Sequence, residues 1–158
     1  DKNIAQQGYI TSEPYAIEKG GVKPKIFHLA KYGYPPYAQT IVTLNKTVRD
    51  RADVVRRFIE ASALGWKSYL KNPAPANALI KIDNPQMDDD QLAFSLAKLK
   101  EYGIVDGGDA KKLGLFTMTH ARWKETYKFM ARAGLANPDL DYTKAYTLQF
   151  VKLVKVLP

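Results

Sequence analysis

The sequence predicts an α/β chain with its strands early and its helices late. Two observations carry that reading. Runs rich in β-branched and aromatic residues are confined to residues 1–44. From about residue 45 onward, apolar residues recur at spacings of three and four, the period of a helix with one buried face.

Gln7–Thr11 is short, β-prone and ends in polar residues, so it reads as the first strand. Ser12 is a good N-cap, Pro14 suits a first helical turn, and Gly20-Gly21 stops the segment, which reads as a helix. Lys25–Ala30 and Tyr37–Leu44 alternate or run apolar and read as two further strands. Val54, Val55, Phe58, Ile59, Ser62, Trp66, Tyr69 and Leu70 then mark one long amphipathic helix, with Asp50 or Asp53 able to cap its start and Pro73 beyond its end. Ala76–Ile82 makes a shorter helix. Asp88-Asp89-Asp90 places negative charge at the positive end of the next, which buries Leu92, Leu96 and Leu99 and stops at Gly103. Asp106-Gly107-Gly108-Asp109 reads as a turn. Thr119 opens another helix, with Trp123, Tyr127 and Met130 on one face and Gly134 as its stop; a last short helix is expected near Thr143–Phe150. Three strands cannot cover this much helix, so the late helices call for a partner sheet that the chain does not visibly encode.

Composition narrows the function classes. At 158 residues, 46% hydrophobic and 25% charged, the chain is ordinary globular material. It has no cysteine, which excludes disulfides, thiolate metal sites and cysteine nucleophiles. The net charge of +8 is lopsided: 12 basic and 6 acidic side chains in residues 1–79, against 12 and 10 in residues 80–158. The basic residues are scattered rather than run together, so they describe a solvated surface and not a nucleic-acid site. No apolar run approaches the roughly 18 residues of a membrane span. A start at Asp1 rather than Met reads as a piece of a longer protein.

Catalytic and metal patterns are weak. His28 and His120 have no Ser or Cys in a tight elbow beside them and read as structural or surface residues. The carboxylates at 88–90 lack the glycine and ligand spacing of a calcium loop and are better explained as helix capping. No Walker loop and no G-x-G-x-x-G is present.

Two segments are less ordinary. Tyr32-Gly33-Tyr34-Pro35-Pro36-Tyr37 holds three tyrosines around two prolines. Proline keeps the backbone out of a helix, and tyrosine offers a flat face with a polar tip. Such a loop suits stacking on a small aromatic ligand; it equally suits a packed connector, and both roles can coexist. Thr11-Ser12-Glu13-Pro14-Tyr15 sits where a strand is expected to end and a helix to begin, the usual ligand edge of an α/β sheet. There Glu13 can accept hydrogen bonds from an amine or amino-heterocycle, or simply complement the helix dipole.

Residues 7–15 and 32–42 together resemble the second half of a periplasmic substrate-binding protein of ABC importers. The nearest group is similar to thiamine-pyrimidine-precursor-binding proteins, with sulfonate, nitrate and riboflavin binders as relatives. The helix from Val54 to Leu70, with Arg56-Arg57-Phe58 and Gly65-Trp66, and the stretch Lys100–Asp106 are in register with the same family. The resemblance implies a portion of a type II two-lobed α/β fold, its helix-rich C-terminal part. Residues 1–38 would end the second lobe and residues 39–158 would form the crossover and the helical part of the first, with the N-terminal half missing. It implies a ligand in the cleft between lobes, touched by Ser12, Glu13 and Tyr15 at the cleft-facing turn and by Tyr32, Tyr34 and Tyr37 near the crossover. It also implies an ABC permease as partner, a periplasmic address, no cofactor and no catalytic residue. Tyrosines with one carboxylate favour an aromatic heterocycle over an anion such as sulfonate or nitrate, which Glu13 would oppose; riboflavin fits the same chemistry. Two other classes share the fold by resemblance. One is a thiamine-pyrimidine synthase, which carries a cysteine-rich motif and consumes a histidine of its own chain. The other is the sensor domain of a transcription regulator.

Overall fold

Helices account for all the regular secondary structure of residues 3–158, the part of the chain that the computed structural model describes. They are α1 (Glu13–Lys19), α2 (Asn45–Asp50), α3 (Ala52–Lys71), α4 (Ala74–Asp83), α5 (Asp89–Glu101), α6 (Ala110–Leu113) and α7 (His120–Arg132). Two short 3₁₀ turns, Leu29–Tyr32 and Tyr142–Ala145, complete the set. Among the described residues no helix is long and apolar enough to cross a membrane.

The helical reading holds in its main lines, and the punctuation explains why. Pro14 stands in the first turn of α1, and Gly20 ends it. Asp88 caps α5, its side chain accepting from the Gln91 N–H at 2.7 Å. Thr119 caps α7, accepting from the Arg122 N–H at 3.3 Å, and Gly134 takes the left-handed φ of 72° that stops the chain from continuing. The last helix is shorter than expected. Only the 3₁₀ turn Tyr142–Ala145 forms, and Leu148, Phe150, Val151 and Val154 are buried from turns and irregular chain instead.

The three expected strands are not present among the described residues. Tyr9–Ser12 closes as a turn, with the Ser12 N–H on the Tyr9 carbonyl at 3.0 Å. Residues 25–28 run without regular structure into the 3₁₀ turn, so His28 heads a turn rather than sitting within a strand. Residues 38–43 make no backbone–backbone hydrogen bond to any described residue, and every residue from Ala38 to Lys46 is exposed. The physical reason is common to all three. A strand exists through the ladder it shares with a neighbour, and branched residues do not make one alone.

The chain divides into two compact units. One gathers residues 3–27 with Ser68–Gly107. Its fully buried residues are few: Pro14 in α1 and Leu92 in α5, with Leu96 and Leu99 half-buried. The Ser95 hydroxyl donates to the Thr11 carbonyl at 2.7 Å and fixes the entry of α1 against α5. After α5 the backbone turns tightly. Gly103 has φ of 55°, and a Cβ on Gly107 would lie 2.3 Å from the Gly103 carbonyl oxygen, so only glycine fits there.

The other unit, His28–Lys67 with Gly108–Pro158, holds most of the core. Val55, Ile59 and Ala63 recur every four residues along α3 and are all buried. Leu115, 1% exposed, is the most deeply buried large side chain, and its N–H donates to the Val156 carbonyl at 2.8 Å. That bond ties the C-terminal stretch to the chain after α6.

Candidate functional site

The expected site residues fall into two groups, one in each unit. Ser12, Glu13 and Tyr15 lie at the start of α1 in the first unit, and Tyr32, Tyr34 and Tyr37 lie in the second.

Glu13 is the first residue of α1, and its carboxylate folds back over its own entry turn. Its Oε2 accepts the Tyr9 N–H at 2.6 Å and the Ser12 hydroxyl at 2.5 Å. Ser12 therefore stands at the N-cap position without capping through its side chain, which contradicts the simple capping role read from sequence. The Ser12 hydroxyl, more than the backbone N–H of Tyr9, holds the Glu13 carboxyl below the usual range, so it is charged at neutral pH. Gly8 makes room for this fold-back: a Cβ there would sit 2.9 Å from both Cβ and Cγ of Glu13. The turn thus presents a half-buried anionic group of fixed orientation, suited to an amino donor.

Tyr15 is held by contacts to α5. Its hydroxyl donates to Asp88 Oδ1 at 3.0 Å, and its ring packs on Phe94 with centroids 5.6 Å apart. Lys19 Nζ, one turn further along α1, lies 2.5 Å from Asp88 Oδ2. The Lys19 ammonium, then the Gln91 N–H, draw the Asp88 carboxyl down to about 2. Tyr15 and Lys19 together fasten α1 to the capped start of α5.

In the second unit the tyrosine-proline segment lies along one stripe of α7. The Tyr34 ring packs on Phe129 at 4.6 Å. Arg122 Nε donates to the Pro35 carbonyl and Nη2 to the Pro36 carbonyl, each at 2.9 Å. The same guanidinium stacks 4.3 Å above the Tyr37 ring. The Tyr37 hydroxyl accepts the Thr119 N–H at 2.8 Å, at the free N-terminus of the helix. Tyr32 differs: it is 68% exposed and has no ring partner among the described residues.

Beside Tyr37, the Trp123 and Tyr146 rings stack 4.6 Å apart and nearly parallel. They line a groove of about 150 Å³ with Thr40–Thr43 and Met118. That is below the roughly 300–1,000 Å³ of a typical small-molecule pocket, so the groove alone is too small for a heterocycle of flavin size. His120 Nδ1 lies 2.6 Å from the Tyr146 hydroxyl, which agrees with the surface role read for it. Among the described residues no three His, Asp or Glu side chains gather as metal ligands.

Sequence reasoning missed Arg122, Thr119 and Phe129 as the seat of the aromatic segment. The signal was present but ambiguous. Thr119, Arg122, Trp123, Thr126 and Phe129 make one helical stripe, yet the apolar residues chosen for the buried face were Trp123, Tyr127 and Met130.

Comparison with known proteins gives two matches. The family model described as "NMT1/THI5 like" matches residues 3–76, a stretch that contains all six expected site residues. The riboflavin-binding protein RibY of Chloroflexus aurantiacus is 27% identical over 152 residues, covering 96% of this chain and 43% of the relative. The chain therefore spans less than half the length of that curated relative. No solved structure matches the chain.

Proposed function

Because residues 3–76 match the NMT1/THI5-like family model and the chain is 27% identical to a riboflavin-binding protein, we propose that it is part of the solute-binding component of an ABC importer. Its solute is a small, flat aromatic heterocycle held in a cleft. The observation that carries this reading is the Tyr32–Tyr37 segment: two of its tyrosines are anchored on α7, while the Tyr32 ring stands 68% exposed inside the stretch that matches the family. An anchored backbone with one free flat ring can stack on a heterocycle without first ordering itself. Glu13, charged and oriented, would accept hydrogen bonds from an amino or imide edge, with Ser12 setting its direction. Tyr15 would act from behind, holding α1 in place.

Residues 1–38 would close the second lobe, and residues 39–158 would cross over to the helical part of the first. Residues 38–43 are exposed and make no backbone–backbone hydrogen bond among the described residues, which supports this division, because a β-prone run without a ladder suits a strand whose neighbours come from another part of the protein. Ligand bridging the two lobes would favour the closed arrangement by its differential affinity, and a membrane permease on the periplasmic face would receive it. Within the heterocycle class, the relative named for riboflavin favours a flavin beside the thiamine-pyrimidine precursor.

The competing class is a self-consuming thiamine-pyrimidine synthase. Native mass spectrometry of the full-length protein, purified without added ligand, separates the two. A binding protein releases an aromatic heterocycle on denaturation and leaves a polypeptide of unchanged mass. A synthase that spends its own histidine leaves a polypeptide of altered mass once iron is supplied, and that result would overturn the proposal.

A further inference from the structure

Resting on the binding reading above, we infer that Arg122 is the positioning residue of the aromatic segment and so governs how Tyr32 is presented. Proline has no N–H, so Pro35 and Pro36 leave their carbonyls as the only backbone groups by which this stretch can be held. Arg122 takes both with one fork, Nε on Pro35 and Nη2 on Pro36, each at 2.9 Å. It also covers the face of the next residue, Tyr37, at 4.3 Å. Three consecutive residues thus meet one planar cation, and Tyr37 is held besides by the Thr119 N–H at 2.8 Å. The Thr126 hydroxyl adds only a long 3.5 Å contact to the Pro35 carbonyl, and donates more closely to the Arg122 carbonyl at 3.0 Å. Lysine cannot replace this arrangement, since a point-like ammonium neither forks nor stacks flat. Gly33, with φ of 86°, separates the clamped residues from Tyr32. The Gly33 N–H and the Tyr34 N–H both donate to the Leu29 carbonyl, the latter at 3.4 Å, so the 3₁₀ turn that carries Tyr32 is hydrogen-bonded to the start of the clamped segment. Arg122 touches no ligand in this scheme; it acts through the tyrosines.

The test is limited chymotrypsin digestion of the full-length protein, wild type against Arg122→Lys and Arg122→Ala. Cleavage after Tyr37 reports on the clamped segment, and cleavage after Phe150, 6% exposed in the same unit, reports on general opening. Cleavage after Tyr37 is expected to rise by about tenfold in both variants, the size of one lost charge-assisted hydrogen bond, with cleavage after Phe150 unchanged. Equal rises at both sites, or no rise after Tyr37, would overturn the inference. Riboflavin and an aminopyrimidine are titrated in parallel. If wild type binds one of them, Arg122→Lys should bind it about tenfold more weakly, and equal affinity overturns the inference. If wild type binds neither, the binding reading fails, while the digestion still decides whether Arg122 holds the segment.

Discussion

The Tyr15 hydroxyl donates to Asp88 at 3.0 Å, joining residues 73 positions apart. Asp88 also caps α5 through the Gln91 N–H and accepts Lys19 from α1. One carboxylate therefore fixes both the start of α5 and the helix that follows the Glu13 turn.

This arrangement predicts an acid dependence. The folded state holds the Asp88 carboxyl at about 2, below its ordinary 3.8, so it binds a proton less readily than the unfolded chain does. Its stabilising contribution is complete above about pH 4 and is lost as pH falls from there toward about 2. The ammonium of Lys19 is shifted upward by the same pair, chiefly by its bond to Asp88, so its contribution is present below its ordinary 10.5 and is lost only in stronger alkali. Asp88→Asn keeps an N-cap acceptor but removes the charge. Thermal melting of wild type and Asp88→Asn should differ at pH 6 and converge toward pH 2. Both partners are exposed, so 1 M salt should shrink the difference at pH 6. A gap that does not change with pH would contradict the role of the ion pair.

Gly8→Ala should destabilise the protein through Glu13. The added methyl would meet Cβ and Cγ of Glu13 at 2.9 Å, and moving Glu13 breaks its bond to the Tyr9 N–H. The expected cost is about 1–3 kcal/mol, as for other overpacking changes. Urea denaturation should show a lower midpoint with an unchanged slope.

Much of this was legible in the sequence, and the misses have identifiable causes. Asp88, Thr119 and Gly134 marked helix ends because their chemistry acts within one turn of the chain. Val55 and Ile59 marked the buried face of α3 by period alone. The strands failed because pairing depends on a neighbour, which no local pattern of branched residues encodes. The turn around Glu13 and the tyrosine-proline segment were recognised as unusual, but not the partners that hold them. Asp88 and Arg122 lie 73 and about 86 positions away from the residues they fix. Such long-range pairs leave no trace in spacing.

Leu115→Ala should be among the costliest single truncations in the second unit. Its side chain is 1% exposed, so truncation leaves an apolar cavity closed to solvent, while the backbone bond from its N–H to Val156 is kept. A loss of about 2–5 kcal/mol is expected from equilibrium denaturation. Leu79→Ala, at a residue 64% exposed on α4, should stay within about 0.5 kcal/mol of wild type.

Tyr32→Ala and Tyr34→Ala should separate presentation from anchoring. Tyr32 is exposed and unstacked, so its loss should leave stability within about 0.5 kcal/mol while weakening heterocycle binding by about 0.5–1.5 kcal/mol, the value of one aromatic contact. Tyr34 packs on Phe129, so its truncation should lower stability as well as binding. Melting and titration on the same preparations check both statements.

The most direct test of a heterocycle-binding role is isothermal titration of the full-length protein with riboflavin, an aminopyrimidine, an alkanesulfonate and nitrate under identical conditions. The account predicts saturable one-to-one binding of riboflavin or the aminopyrimidine and none of the two anions. Saturable binding of the alkanesulfonate or nitrate, with both heterocycles silent, would contradict it.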